Sequence, residues 1–163
     1  MTGKVLVTDG RSLSALAIVR SLGRAGCEVH ICDDFRWNLA AFSKYVADTK
    51  LHEPVGDDPV AFIDWLVACC RREEYDLVVP VRDETILAVS NHREAVSAVT
   101  QLFVAEESTI ERLLDKGSCM RAAEELEIPI PETHYPTASI DEIRTAATFP
   151  VLIKPRIASG SRG

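Results

Sequence analysis

The chain has 163 residues, 47% of them hydrophobic, and a formal net charge of −7 at pH 7. That length and apolar content can remove about two-thirds of the unfolded surface from water, enough for one domain or one domain with a further piece. The acidic balance argues against a nucleic-acid surface, and no apolar run approaches the roughly 18 residues that span a bilayer, so neither nucleic acid nor membrane is expected as a partner.

Residues 4–8 read as a first strand, apolar on both faces as parallel strands are. A helix is predicted over 12–25, with Ala15, Ile18, Val19 and Leu22 on one face and Gly26 at its end. Residues 28–32 form a second strand. The stretch 33–53 is mixed: loop, a short helix over 38–45, and an extended piece over 46–51. Asp58 followed by Pro59 pairs a capping residue with a proline at the first helical position. That helix runs to about residue 72, with Phe62, Ile63, Leu66 and Val67 inward. A strand over 76–81, a helix over 84–98 and a strand over 102–105 complete the series. Strand and helix alternate with short turns, which predicts an α/β fold with a doubly wound parallel sheet. Ser108 with Glu111, and Ser139 with Glu142, read as capping boxes that start two further helices. The regular alternation stops near Glu106, which divides the chain into residues 1–106 and 107–163.

Five cysteines without a C-x-x-C pair fit reduced thiols packed as small hydrophobes in a cytoplasmic protein. The four histidines lack metal-ligand spacing, and no metal is assigned within the chain.

Open parallel sheets bind ligands beyond the carboxyl ends of their strands. That rule selects residues 8–12, Asp33 and Asp34, residues 82–84, and Glu106 and Glu107 as one edge. Gly10, Arg11 and Ser12 form a polar turn into a helix, whose amides could hold a carboxylate or phosphate. Arg82, Asp83 and Glu84 bring charge to the same rim as a candidate substrate-side surface, although Asp83 has a structural use as a cap and Arg82 as the partner of a nearby acid. A dinucleotide domain of an oxidoreductase or epimerase is the rival reading, because Asp33 lies 23 residues after Gly10, where an acid would meet a ribose. The first turn departs from G-x-G-x-x-G, however, since Arg11 and Ser12 carry side chains where a pyrophosphate needs bare backbone.

Two lysine segments follow. Lys116 opens an amphipathic helix with Cys119, Ala122, Ala123 and Leu126 on one face, which ends before Ile128, Pro129, Ile130 and Pro131. Later, Val151, Leu152 and Ile153 read as a short buried strand that delivers Lys154 at its end, followed by a small-residue loop over 158–163. Lysine before loop is the reverse of a Walker phosphate loop, where the glycines come first. Strand, cation and loop together suit a polyphosphate: at about 4 Å and an effective dielectric of 20, one ammonium is worth roughly 4 kcal/mol per unit of phosphate charge.

This order, an Asp-Lys helix, an Ile-Pro-Ile-Pro exit, a strand with Lys154 and Pro155 and then a small-residue loop, resembles the ATP-grasp superfamily, in the style of carbamoyl-phosphate synthase and biotin carboxylase. The distinctive match covers about 113–163. The resemblance implies that residues 1–106 are the Rossmann-like domain preceding an ATP-grasp fold and that 107–163 begin the nucleotide domain. It implies ATP phosphate contacts at Lys116, Lys154, Ser159, Gly160, Ser161 and Gly163; Arg156 and Arg162 could add charge to the same site or equally face solvent. Ala158 departs from the glycine common there. It also implies an ATP-dependent ligase that uses Mg²⁺ and a small carboxylate or bicarbonate, through an acyl phosphate that an amine or other nucleophile displaces. The adenine grip and the acidic metal ligands of that family lie further along than Gly163, so these residues alone are expected to be an inactive N-terminal fragment. A non-catalytic nucleotide-binding or regulatory subunit is the alternative. The oligomeric state is left open, a homodimer included.

Overall fold

The computed structural model describes residues 3–56, 58–135, 139–146, 148 and 150–157. They divide into two compact units, Met1–Glu107 and Ser108–Gly163. The first unit is a five-stranded, all-parallel sheet of β1 (Lys4–Val7), β2 (Glu28–Asp33), β3 (Val46–Leu51), β4 (Leu77–Val79) and β5 (Gln101–Leu102), in the order β3-β2-β1-β4-β5. The chain winds outward from β1 through β2 to β3, then returns to build β4 and β5 on the other side. Crossovers between parallel strands keep one hand, so reversing the direction of winding moves the helices to the opposite face.

The two apolar clusters follow that rule. Val5, Val7, Val29, Ile31 and Val79 point to one face and bury Ala15 and Val19 of α1 (Leu13–Arg24). Leu6, Cys32 and Val78 point to the other. There they pack Phe62, Ile63 and Leu66 of α2 (Val60–Glu73), with Ala88 and Val89 of α3 (Asp83–Asn91) and Val96 of α4 (Arg93–Ser97). Alternate side chains of a strand face opposite ways, so one short apolar run serves both cores. The sheet is doubly wound, as the sequence predicts.

Local chemistry sets most boundaries. Ser12 caps α1, its hydroxyl accepting from the Ser14 amide at 3.1 Å, and Gly26 follows the helix at φ 90°. The Asp58 carboxylate accepts from the Val60 amide at 3.0 Å, with Pro59 already helical at φ −77°. Residues 40–42 form a single 3₁₀ turn, the observed form of the short helix expected near there. The predicted helix over 84–98 is two helices, because His92 leaves helical geometry at φ −116°, ψ 28° and its ring bonds back to the Ala88 carbonyl at 2.9 Å. The final strand is shorter and earlier than expected: only Gln101 and Leu102 pair with β4.

The second unit contains all but the first residue of α5 (Glu107–Leu114), with α6 (Lys116–Glu125) and α7 (Ile140–Ala146). The Ser139 box forms in full: the Ser139 amide donates to Glu142 at 2.6 Å and the Glu142 amide to the Ser139 hydroxyl at 3.2 Å. The Ser108 box does not set the helix start, since α5 begins one residue earlier and places Ser108 inside its first turn. Val151, Leu152 and Ile153 are not a buried strand. They form no ladder and are exposed, Ile153 at 90%. A strand is stabilised only by neighbours, and among the described residues of this unit none pairs with them. Among the described residues no helix is long and apolar enough to cross a membrane.

One ionic junction ties β1 and β3 to the end of α2. Glu73, at the end of α2, accepts from Lys50 of β3 at 2.8 Å and from Lys4 of β1 at 3.3 Å. Lys50 first, then Lys4, holds the Glu73 carboxyl down at about 2. A carboxyl lowered on folding stabilises above its unfolded value and loses that contribution as pH falls through the folded one. Glu73→Gln should therefore lower stability at pH 7 and flatten the loss of stability between pH 4.5 and 2, read from urea unfolding across that range.

Candidate functional site

The β1–α1 and β4–α3 turns flank the point where the winding reverses, the usual ligand crevice of such sheets. A network centred on Asp9 occupies it. Asp9 has a left-handed backbone, φ 62°, and is 9% exposed. Its Oδ2 accepts from the Arg82 amide at 3.0 Å, the Val81 amide at 3.2 Å, the Thr85 hydroxyl at 2.6 Å and the Thr8 hydroxyl. Asp83 is the first residue of α3 and not its cap; Arg82 stands at the cap position without a side-chain cap bond, and its own amide is held by Asp9. Nothing in the local pattern marks this role except an aspartate before a glycine at a strand end, where a left-handed residue is tolerated.

The amides of the first turn are committed inside the chain and do not form an open anion cradle. Gly10 donates to the Cys32 carbonyl at 3.3 Å, Arg11 to Asp33 Oδ2 at 2.9 Å, and Ser12 to the Asp9 carbonyl at 2.8 Å. Gly10 is required by close approach, since a Cβ there would overlap the Asn38 side chain. Asp33, almost fully buried, also accepts from the Phe35 amide at 3.0 Å and from Arg11 Nε at 2.9 Å. Burial pushes its carboxyl up, against the Arg11 amide. Partial burial also works against the Asp34 charge, yet the Arg11 guanidinium beside it holds that carboxyl below its ordinary value.

The Gly10–Cys32, Arg11–Asp33 and Asp9–Arg82 bonds bring the turns at residues 9–12, 33–34 and 81–82 together. Arg82 and Arg11 remain partly exposed, the former 3.6 Å from Glu84 and the latter paired with Asp33 and Asp34. Glu106 follows β5 and lies 3.5 Å from Arg93. Burial raises the Cys32, Cys69 and Cys70 thiols, the last to about 12, which leaves them protonated.

In the second unit Asp115 caps α6, accepting from the Gly117 amide at 2.9 Å and the Ser118 amide at 3.1 Å. The same carboxylate pairs with Arg156, and the Lys116 amide donates to the Arg156 carbonyl at 2.9 Å. These bonds bring the segment carrying Lys154 against the helix that Lys116 opens. Arg156 is the residue that joins the two lysine segments. Its partner is 41 residues away, beyond any local signal. Lys154 is exposed, so the desolvation expected of a lysine on a buried strand does not apply. Ser159, Gly160, Ser161, Arg162 and Gly163, with Ala158, lie outside the described residues. No group of three His, Cys, Asp or Glu side chains suited to a cation occurs among the described residues, so none is assigned to Mg²⁺.

The two contacts of Arg156 separate by substitution. Asp115→Ala should speed hydrogen exchange several-fold at Gly117 and Ser118, which lose their acceptor. Arg156→Ala keeps the carbonyl that accepts from Lys116 but removes the ion pair that holds its segment in place, so it should leave Gly117 and Ser118 slow and speed Lys116 alone. Equal effects of both variants on all three amides would show that the cap and the junction are one unit.

No protein-family model and no curated protein matches the sequence. Solved structures do match in fold. N5-carboxyaminoimidazole ribonucleotide synthetase from Thermotoga maritima aligns with a TM-score of 0.64 at 16% identity, over 96% of this chain and 40% of that one. The biotin carboxylase domain of the Hydrogenobacter thermophilus 2-oxoglutarate carboxylase, solved as a dimer with MgADP, ADP and bicarbonate, aligns at 0.63 and 16% identity, over 99% and 36%. L-amino acid ligase from Bacillus licheniformis aligns at 0.56 and 17% identity, over 80% and 32%. The chain spans less than half the length of each. All three are ATP-grasp enzymes. In fold, this chain is similar to these ATP-grasp enzymes, whose N-terminal region is a Rossmann-like domain.

Proposed function

We propose that this chain serves as the N-terminal part of an ATP-dependent ligase of the ATP-grasp type. Residues 1–106 supply a substrate-side rim, and residues 107–163 begin the nucleotide domain. The observation that carries the reading is the Asp115–Arg156 junction, which draws the Lys116 and Lys154 segments together as a shared phosphate site requires. The fold likeness supports it independently.

In this reading Lys116 and Lys154 neutralise the phosphates of ATP, with the loop over 158–163 beside them. Asp115 spends its own charge on Arg156 and the α6 amides, which keeps a carboxylate from competing for the two lysines. On the rim, Arg11 and Arg82 face an anionic substrate, a small carboxylate or bicarbonate, with Ser12, Asp83 and Glu84 around them. The substrate oxygen attacks the γ-phosphorus and ADP leaves; a nucleophile, typically an amine, then displaces phosphate from the acyl phosphate. The dinucleotide alternative loses its ribose ligand, because Asp33 is bonded to Arg11 and Phe35. A reducing cytoplasm suits the buried, protonated thiols.

A ligand that binds only the folded state at a hundred times its Kd stabilises it by about 2.7 kcal/mol. In the native polypeptide as the cell makes it, Lys154→Ala should remove most of the MgATP-dependent rise in melting temperature while leaving the nucleotide-free value nearly unchanged, since an exposed side chain contributes little to folding. Arg11→Ala should do the reverse: a lower melting temperature without nucleotide, and a preserved nucleotide shift. A full MgATP shift in Lys154→Ala would overturn the assignment of that lysine.

A further inference from the structure

We propose that Asp9 is a built-in ligand: its carboxylate fills an anion seat at the β1/β4 reversal point, fixes the Val81–Arg82 turn and excludes phosphate-bearing ligands from that crevice. The inference stands apart from the ligase reading, since it concerns only how the first unit uses its own crevice.

Four donors from three segments converge on one carboxylate oxygen. The Val81 and Arg82 amides come from the turn into α3, the Thr85 hydroxyl from the first turn of that helix, and the Thr8 hydroxyl from the end of β1. Amides at the start of a helix, with its positive dipole end, favour an anion. In sheets of this topology an external phosphate commonly takes such a place. Here the occupant is covalently part of the chain. The left-handed backbone at Asp9 is what aims the carboxylate across the reversal point, and a non-glycine residue adopts that conformation only at a cost. That a costly conformation is kept beside Gly10 shows how strongly the crevice holds its occupant.

The seat also explains how Arg82 is presented. Its amide is pinned by Asp9 and its carbonyl accepts from the Ile86 amide at 2.8 Å, so the backbone is held from both sides while the guanidinium reaches the rim. The Thr8 amide, bonded to the Val79 carbonyl at 3.1 Å, holds the same two strands together directly below.

The test is replacement of the internal carboxylate by an external one. Asp9→Ala should melt below the native chain, and formate should restore its melting temperature in a concentration-dependent manner that sodium chloride of equal ionic strength does not reproduce. The native chain should gain nothing from formate beyond the chloride effect. Should Asp9→Ala not fold, Asp9→Asn provides the second measurement: hydrogen exchange at Arg82, whose amide Asp9 accepts, should speed by about an order of magnitude or more, while Val81, which keeps the Thr8 hydroxyl, changes less and Val29 and Ile31 in the sheet stay slow. In the native chain, titration with inorganic phosphate should leave the Val81 and Arg82 amide resonances in place. A folded Asp9→Ala with no formate-specific recovery, unchanged exchange in Asp9→Asn, or a saturable phosphate shift at those two amides would each overturn the proposal.

Discussion

The first unit turns on a single carboxylate where its sheet changes direction. Parallel strands β1 and β4 are adjacent in space but far apart in sequence, and the backbone ladder between them ends at Val7 and Val79. Beyond that ladder the Thr8 and Asp9 side chains take over, bonding across to the β4–α3 turn. A left-handed aspartate costs about 1–2 kcal/mol, and one hydrogen bond to a charged group is worth about 1.5–3 kcal/mol, so the contacts outweigh the strain. Remove that charge and the turn loses the acceptor for the Arg82 amide, while the Val81 amide keeps only the Thr8 hydroxyl.

The same logic recurs around the rim and in the second unit. Asp33 holds the amide of Arg11, and Asp115 holds the amides of Gly117 and Ser118. In each case the chain answers its exposed backbone donors with its own carboxylate and leaves cationic side chains facing outward: Arg11 and Arg82 on the rim, Lys154 in the second unit. Asp33, Asp34, Glu84 and Asp115 also pair with Arg11, Arg82 and Arg156, so the net charge of the chain does not describe the charge at any one of these places.

Where structure is dictated by neighbours in sequence, it could be read directly. The alternating runs gave the strands β1, β2 and β4, the 3.6-residue spacing of Ala15 and Val19 gave α1, and Ser139 with Glu142 gave the start of α7. Where a partner lies far away, sequence was silent or misleading. Val151, Leu152 and Ile153 look like a strand, but a strand is made by its neighbours and these residues form no ladder. The break at His92 depends on one ring bonding back to Ala88, a choice that helix periodicity does not register. Of the candidate site, the rim was legible because parallel topology forces strand ends together. The roles of Asp9 and Arg156 were not, because their partners lie 73 and 41 residues away.

We propose above that these residues belong to a ligase that activates a carboxylate by phosphorylation. The two lysines, the outward arginines and the fold likeness all bear on that one reaction. The most direct measurement is to incubate the native polypeptide with MgATP, hydroxylamine and a panel of small carboxylates including bicarbonate, and to assay hydroxamate, inorganic phosphate and pyrophosphate together. Carboxylate-dependent release of inorganic phosphate, with matching hydroxamate for the organic acids, is the result expected. Carboxylate-dependent pyrophosphate, or hydroxamate formed without phosphate release, would contradict the account.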